Sequence, residues 1–353
     1  MEQKELKEIL DNHKLWLESN GEKGMRADLK GVDLRDIDLT GVNLERASLP
    51  SVNLKSATLR TANLKSANLI NANLMYADLE DANLEGANLK GAWLVNADLK
   101  RTRLVNANIM VADLSGADLT KAQLAGADLQ LADLRRAYLH HVDFPCANLK
   151  EADLKDANLE GANLKGACLV NADLPRATLT GADLTGANLR CADLKDAKLA
   201  NAFLKGADLI KADLPRANLK GTNLEHADLR GANLRGAYLK NAVLPSSLDN
   251  LPEGELIGYK RVKGCIVKLQ ILADSKRSRA TSDKCRCDKA LVLAIENPNG
   301  TDSGLKQIIN NNFTLTTYKV GEIVYADSWD EDRWAECSHG IHFFLDRKMA
   351  VDW

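Results

Sequence analysis

The chain lacks any uninterrupted apolar run of the roughly 18 residues that a membrane-crossing helix needs, which argues against a helical span. Aromatic residues are scarce, at 5%, and there are only seven prolines. The seven cysteines are odd in number and show no disulfide-framework spacing, so a soluble protein in a reducing cytoplasm is expected. Neither charge dominates: 47 Lys and Arg stand against 49 Asp and Glu, a net of −2. That balance argues against a molecule that engages polyions by bulk charge alone. The opening run Met1-Glu2-Gln3-Lys4-Glu5 is polar and charged, unlike a secretory signal.

What the chain does have is one repeat. From Met25 to Pro245 it recurs every five residues without a slip, and its centre is a column of 44 positions from Leu29 to Leu244. The centre is Leu except at Ile109 and Phe144, and two residues before it stands Ala nearly every time, as in Ala87-Asn88-Leu89. Five fits neither the helical period of 3.6 nor the strand period of 2, so the chain must turn once per repeat. That is the mark of a solenoid.

The run A-(D/N)-L-x-x resembles the pentapeptide-repeat family, without insertions over this stretch. The resemblance implies a right-handed quadrilateral β-helix with four repeats to a coil, hence about 11 coils. At the strand spacing of ~4.8 Å the rod would be roughly 50 Å long. The central Leu and the Ala before it are then expected to point inward, and each buried Leu contributes ~1.5–3 kcal/mol. Gly at the last position of the repeat, as in Gly86 and Gly91, suggests a tight corner. Pro50, Pro145, Pro175, Pro215 and Pro245 all follow the central residue, a slot that needs no backbone N–H.

The organisation read from the sequence is an N-terminal helical cap at 1–24, the β-helix at 25–245, a linker at 246–254 and a C-terminal α+β domain, mostly β, at 255–353. Leu6, Ile9, Leu10 and Leu17 recur at helical spacing in the first segment, and Trp16 is expected to cover the first coil. There Val32, Ile37 and Val42 replace Ala.

The rod holds 28 basic and 27 acidic residues. Members of the family that inhibit or protect DNA gyrase resemble B-form DNA, and the resemblance therefore raises a topoisomerase modulator as an alternative. Such mimicry requires a strongly negative rod, which the charge count opposes. Direct nucleic-acid binding is not favoured either: Arg35, Lys55, Arg135, Lys155, Lys195 and Arg235 share a predicted face that has no aromatic ladder to stack bases. One apolar cluster stands out on the surface. Met75, Trp93 and Val95 are expected on one face with Tyr76 at its corner, and Ile70, Met110 and Val111 on the neighbouring face. Contiguous exposed apolar area points to a protein contact, against the plainer reading of scattered surface residues.

The last hundred residues resemble an uncharacterised domain attached to pentapeptide repeats in bacterial and phage proteins. The likeness rests on Gly258-Tyr259-Lys260, Ile266-Val267-Lys268-Leu269, Lys276-Arg277-Ser278, Lys284-Cys285-Arg286 and Arg333-Trp334-Ala335-Glu336-Cys337-Ser338-His339-Gly340-Ile341-His342. It brings no activity with it. Strands are expected at 265–272, 290–296, 322–325 and 341–345, and a closing helix at 345–351. The stretch 276–286 reads as a loop dense in cations, and Lys276, Arg277, Arg279, Lys284 and Arg286 form a candidate site for a small anionic ligand. The opposing reading is that Asp327, Asp330, Glu331, Asp332 and Glu336 pair with them. Cys285, Cys287, Cys337, His339 and His342 offer soft metal ligands, but C-x-C and C-x-H-x₂-H are not zinc-finger spacings, so no metal is assigned. Cys337 with His342 is a possible nucleophile and base, with no third residue to orient them. Buried structural cysteines are the commoner case.

These observations favour a cytoplasmic, non-catalytic scaffold with a protein partner, no cofactor and no membrane association. The alternative is a C-terminal enzyme or sensor acting on a phosphorylated ligand. The oligomeric state is not encoded in any pattern found.

Overall fold

The computed structural model describes residues 3–245, 254–279, 284–311, 315–330 and 339–353. They fall into two compact units, each described by itself.

In the repeat, residues 20 apart pair as parallel bridges, Asp28 with Ser48 and Asn53 with Asn73 among them. Four repeats therefore close one coil, and the rod is a right-handed β-helix. Coil 1 begins at residue 27. Its four faces are numbered I to IV here, from the central residues Leu29, Leu34, Leu39 and Leu44.

The five backbone N–H groups of a repeat account for its shape. Leu29 N–H donates to Ser48 O of the next coil at 2.7 Å, and Ser48 N–H donates back to Ala27 O at 2.9 Å. At the corner Gly31 N–H donates to Pro50 O at 2.9 Å, and Val32 N–H closes a turn on Leu29 O at 3.1 Å. The fifth N–H, just after the central Leu, is left out of the ladder. It donates instead to the Asp or Asn two residues earlier, as Lys30 N–H does to Asp28 Oδ1 at 3.1 Å. Proline fits that slot because no ladder bond is lost, and because it is the second residue of the turn, where its fixed φ is favoured.

The third turn residue has positive φ at corner after corner, including Arg46 at 59° and Tyr76 at 58°. This corrects the expectation that Gly serves a crowded corner in general: the turn demands a left-handed residue, and many side chains meet it. Gly also leaves room where the coil below sends a side chain across. A Cβ on Gly91 would lie 2.4 Å from Asn71 Oδ1, whereas one on Gly181 would meet nothing within 4 Å.

The Leu and Ala columns are buried throughout the interior. Thr102 and Thr222 replace Ala there, and each hydroxyl donates to a carbonyl of the coil below, Leu79 O at 2.9 Å and Leu199 O at 2.8 Å. The buried oxygen is thereby satisfied.

Helix α1 (Gln3–Glu18) caps coil 1. His13 bonds directly to the coil, its Nδ1 accepting from Ala27 N–H at 3.1 Å. His13 is fully buried, and Trp16 stacks beside it with ring centroids 5.7 Å apart. Val32, Ile37 and Val42 remain half-exposed at this end.

The second unit contains β1 (Leu256–Val262), β2 (Cys265–Ile271), β3 (Arg277–Arg279), β4 (Lys284–Cys287), β5 (Lys289–Glu296), β6 (Gln307–Asn310), β7 (Thr316–Lys319), β8 (Ile323–Tyr325), β9 (Ile341–Phe344) and α2 (Arg347–Asp352). Seven strands form one antiparallel sheet in the order β3-β4-β9-β1-β2-β5-β8, and β6 pairs with β7. One face buries Val267, Leu269, Cys285, Cys287 and Phe343 against Ile308 and Tyr318 of the β6–β7 pair. The other packs Ile266 and Phe344 on Ala350 of α2. Gly258 is needed for close packing, since a Cβ there would fall 2.4 Å from the Phe343 ring.

Candidate functional site

The 20-residue register places the residues of the expected surface cluster on two adjoining faces of the rod. Met75, Trp93 and Val95 lie on face II, with Tyr76 at its far corner. Ile70 and Met110 lie on face I, and Val111 sits at the corner between the two. Trp93 is 56% exposed, Val111 52% and Tyr76 51%, whereas Ile70, Met75, Val95 and Met110 are half-buried between their neighbours. Leu131, one coil above Val111, extends the corner at 48% exposure and was not foreseen. The signal for it was present in the sequence, because residues 20 apart stack.

The composition around these side chains is as telling as their exposure. The residues between them are Asn68, Asn71, Asn73, Asn88, Lys90, Gly91, Asn96 and Asn108, and the coils above pair Asp113 with Trp93 and bring Asp128 close to Leu131. The backbone beneath is tied to the coils below and above: Trp93 N–H donates to Ala72 O at 2.9 Å, Trp93 O accepts from Leu74 N–H at 2.7 Å, and Leu94 N–H donates to Asp113 O at 2.6 Å. The aromatic anchors thus project from a rigid ladder. At the lower edge Lys55 stands over the Tyr76 ring, 5.9 Å from its centroid.

The rest of the rod is crowded with ions. Arg176 donates to both oxygens of Asp156, and Arg216 to both oxygens of Asp196, each bond 2.7 Å long. Asp78, Glu80 and Asp98 are the one group of acids among the described residues placed closely enough to hold a cation. Protein cations already occupy that ground: Arg60 bonds Asp78 and Glu80, Arg101 bonds Glu80 and Asp81, and Lys100 bonds Asp98 and Asp118. Face II carries aspartates on successive coils from Asp113 to Asp213. Among them Asp173 titrates above the ordinary carboxylate range, because burial, Asp153 and Asp193 all disfavour its charge. Pro175 follows it and has no N–H to offer.

The cations of the second unit do not converge. The stretch read as a loop contains β3 and β4. Arg277 pairs in register with Cys287 and Ser278 with Arg286, so Arg277 and Arg286 lie on opposite faces of the sheet. Arg277 donates to Gly254 O at 2.6 Å. Arg286 is buried, donates to His339 O at 2.8 Å and stacks over Trp329, 5.0 Å from the ring centroid. Lys284 stands 5.0 Å over the Trp353 ring. Lys276 is exposed, and Arg279 pairs in register with Cys285. Of the opposing acids, Glu331, Asp332 and Glu336 lie outside the described residues. A single concavity built from all five cations is therefore corrected: strand alternation splits the set.

The same alternation divides the soft ligands. Cys285 and Cys287 face the core opposite Phe343 and Ile341, whereas His342 pairs with Arg286 on the other face. His339 is exposed ahead of β9, and Cys337 lies outside the described residues. Burial, with Asp288 nearby, pushes the Cys287 thiol well above its ordinary range, which opposes the thiolate that metal binding or nucleophilic attack requires. Sequence reasoning also missed Lys260. Burial, helped by Lys284, brings its amine down to about 8, and it donates to His342 O at 3.2 Å.

Comparison with known proteins fits the rod's geometry. The family model described as pentapeptide repeats (8 copies) matches in overlapping stretches from residue 27 to residue 244. The chain belongs to the pentapeptide-repeat family. Residues 248–350 of this pentapeptide-repeat protein match a family of unknown function, DUF5758. Among solved structures it is similar to HetL, a pentapeptide repeat protein involved in heterocyst differentiation regulation from the cyanobacterium Nostoc sp. strain PCC 7120. Identity is 33%, coverage is 65% of this chain and 95% of HetL, and the TM-score is 0.33. It is also similar to Rfr23 of the cyanobacterium Cyanothece 51142, at 31% identity over 36% of this chain and 59% of that one, with a TM-score of 0.21. QnrB1, a plasmid-mediated fluoroquinolone resistance protein, is 19% identical over 59% of this chain and 92% of its own, with a TM-score of 0.30. No curated protein matches the chain.

Proposed function

We propose that this pentapeptide-repeat protein is a non-catalytic scaffold in the cytoplasm whose rod binds a protein partner through faces I and II of coils 3 to 6. The observation that carries this reading is the charge-depleted patch around Trp93, Tyr76, Val111 and Leu131 on a rod otherwise covered with ion pairs. Aromatic and Met residues are enriched, and charges depleted, at the cores of protein interfaces. A polyanion would call for a basic face, whereas on faces I and II of coils 3 to 5 the formal charges are Lys90 and Asp113. The ladder beneath Trp93 lowers the ordering cost of binding.

The test is affinity capture from cells of the source organism with the full chain, comparing wild type, Trp93→Asp and Tyr138→Asp. Tyr138 is an equally exposed aromatic on face III. A hot-spot anchor accounts for ~2 kcal/mol or more, so Trp93→Asp is expected to weaken capture of a discrete protein about thirtyfold, with Tyr138→Asp unchanged. Capture that survives Trp93→Asp contradicts the proposal.

A further inference from the structure

We propose that His13 is a pH-operated latch on the N-terminal cap: its neutral imidazole ties α1 to coil 1, and protonation releases the helix and bares the edge of the coil.

The tie replaces a missing repeat. In later repeats the N–H at the Ala position closes on the central carbonyl of the preceding repeat, as Val32 N–H does on Leu29 O at 3.1 Å. Ala27 has no preceding repeat, and its N–H donates to His13 Nδ1 at 3.1 Å. Only a neutral ring can accept there, because imidazolium carries N–H on both nitrogens. Protonation would set Nδ1–H against Ala27 N–H. His13 Nε2 is buried without a hydrogen-bond partner, so a charge on the ring carries a desolvation cost.

The groups that act on the ring come from both elements. Trp16 of α1 stacks on it. From the rod, Arg26 opposes its protonation, while Glu45 favours it through its backbone and its carboxylate. Burial outweighs these and holds the ring below its ordinary value of 6.5. The released helix therefore binds protons more readily than the docked one. The tie is at full strength above about pH 6.5 and weakens as the pH falls from there toward the depressed value. Beside it, Leu6 is buried, Ile9, Leu10, Trp16 and Leu17 are half-buried, and Met25 N–H donates to Asn12 O at 3.3 Å. A terminal helix opens locally at less cost than the stacked coils do.

Amide hydrogen exchange on the full chain tests this at about pH 7.5 and about pH 5, after correction for intrinsic rates. Protection of residues 3–18 and of Ala27 is expected to fall at least about tenfold at the lower pH, while coils 5 to 8 stay protected. In His13→Asn the amide oxygen takes the place of Nδ1 and does not titrate, so protection should not change with pH. Unchanged protection in wild type, or equal loss in His13→Asn, overturns the latch. Should His13→Asn fail to dock the helix at all, the imidazole titration of the wild-type chain decides the matter. A midpoint below 6.5 that coincides with loss of α1 protection supports the latch. A midpoint at or above 6.5, or one uncoupled from the helix, overturns it.

Discussion

At the scale of the residue, the rod is governed by one conformational demand and one steric one. The demand is a left-handed residue at each corner, which Arg, Tyr, Asp and Asn meet as well as Gly does. An L-residue in that region costs roughly 1–2 kcal/mol, so the corners are bearable only because the ladder on either side fixes them. The steric demand is local. Asn96 and Asn106 press their amide oxygens toward Gly116 and Gly126 just as Asn71 does toward Gly91, with hypothetical Cβ approaches of 2.3, 2.5 and 2.4 Å. Gly181 meets only the first demand. Gly181→Ala is therefore expected to lower stability by about 1 kcal/mol, and Gly91→Ala by more. In an Asn71→Ala background the two glycine substitutions should cost the same, because distant sites add and contacting ones do not. Thermal melting of the two single variants, of Asn71→Ala and of the two double variants measures this. A Gly91→Ala penalty no greater than that of Gly181→Ala would refute the reading.

At the scale of the element, columns of like residues on successive coils behave as units. The aspartates of face II lie one strand spacing apart, and most are relieved by an Asx bond or a nearby Arg or Lys. Asp133 has Arg135 on both counts. Asp173 has Pro175 instead, and its carboxyl is raised above its ordinary value first by burial and then by Asp153 and Asp193. A raised carboxylate pKa in the folded state is a cost at neutral pH that disappears as the group protonates. Asp173→Asn should accordingly stabilise the rod at pH 7 by about 0.2–1 kcal/mol, the range for facing charges on neighbouring strands. The gain should vanish below the ordinary value of 3.8. Denaturant unfolding at both pH values tests this, and an equal gain at both would assign the effect to something other than charge. The elements also show how unevenly the sequence could be read. The rod's period was plain because the same inward Leu and Ala recur at every coil. Strands β2, β5, β8 and β9 and helix α2 were legible from their apolar runs and flanking turns. Strands β3 and β4 were not. In β4 the residues given to the core are Cys285 and Cys287, with cations between them in sequence, so Lys284-Cys285-Arg286-Cys287 reads as a charged loop until β9 supplies the partner. The candidate anion site failed for the same reason, because a loop lets five cations converge and a strand divides them.

At the scale of the whole molecule, surface chemistry rather than fold carries the functional argument. Stacking at a spacing of 20 residues made most of the patch legible from sequence, since Ile70, Met110, Met75 and Val95 fall into adjoining columns. The asparagines that surround them became visible only when the faces were assembled. The net charge of the rod, near zero, also gives no basis for mimicry of a nucleic acid. The most direct measurement places a photo-crosslinking amino acid at Val111 or at Tyr138 of the full chain in its own cells. The two sites are equally exposed, on different faces of one rigid body. The account predicts a discrete covalent protein adduct from Val111, abolished by Trp93→Asp, and no such adduct from Tyr138. Adducts of equal yield from both positions, or an adduct from Tyr138 alone, would contradict it.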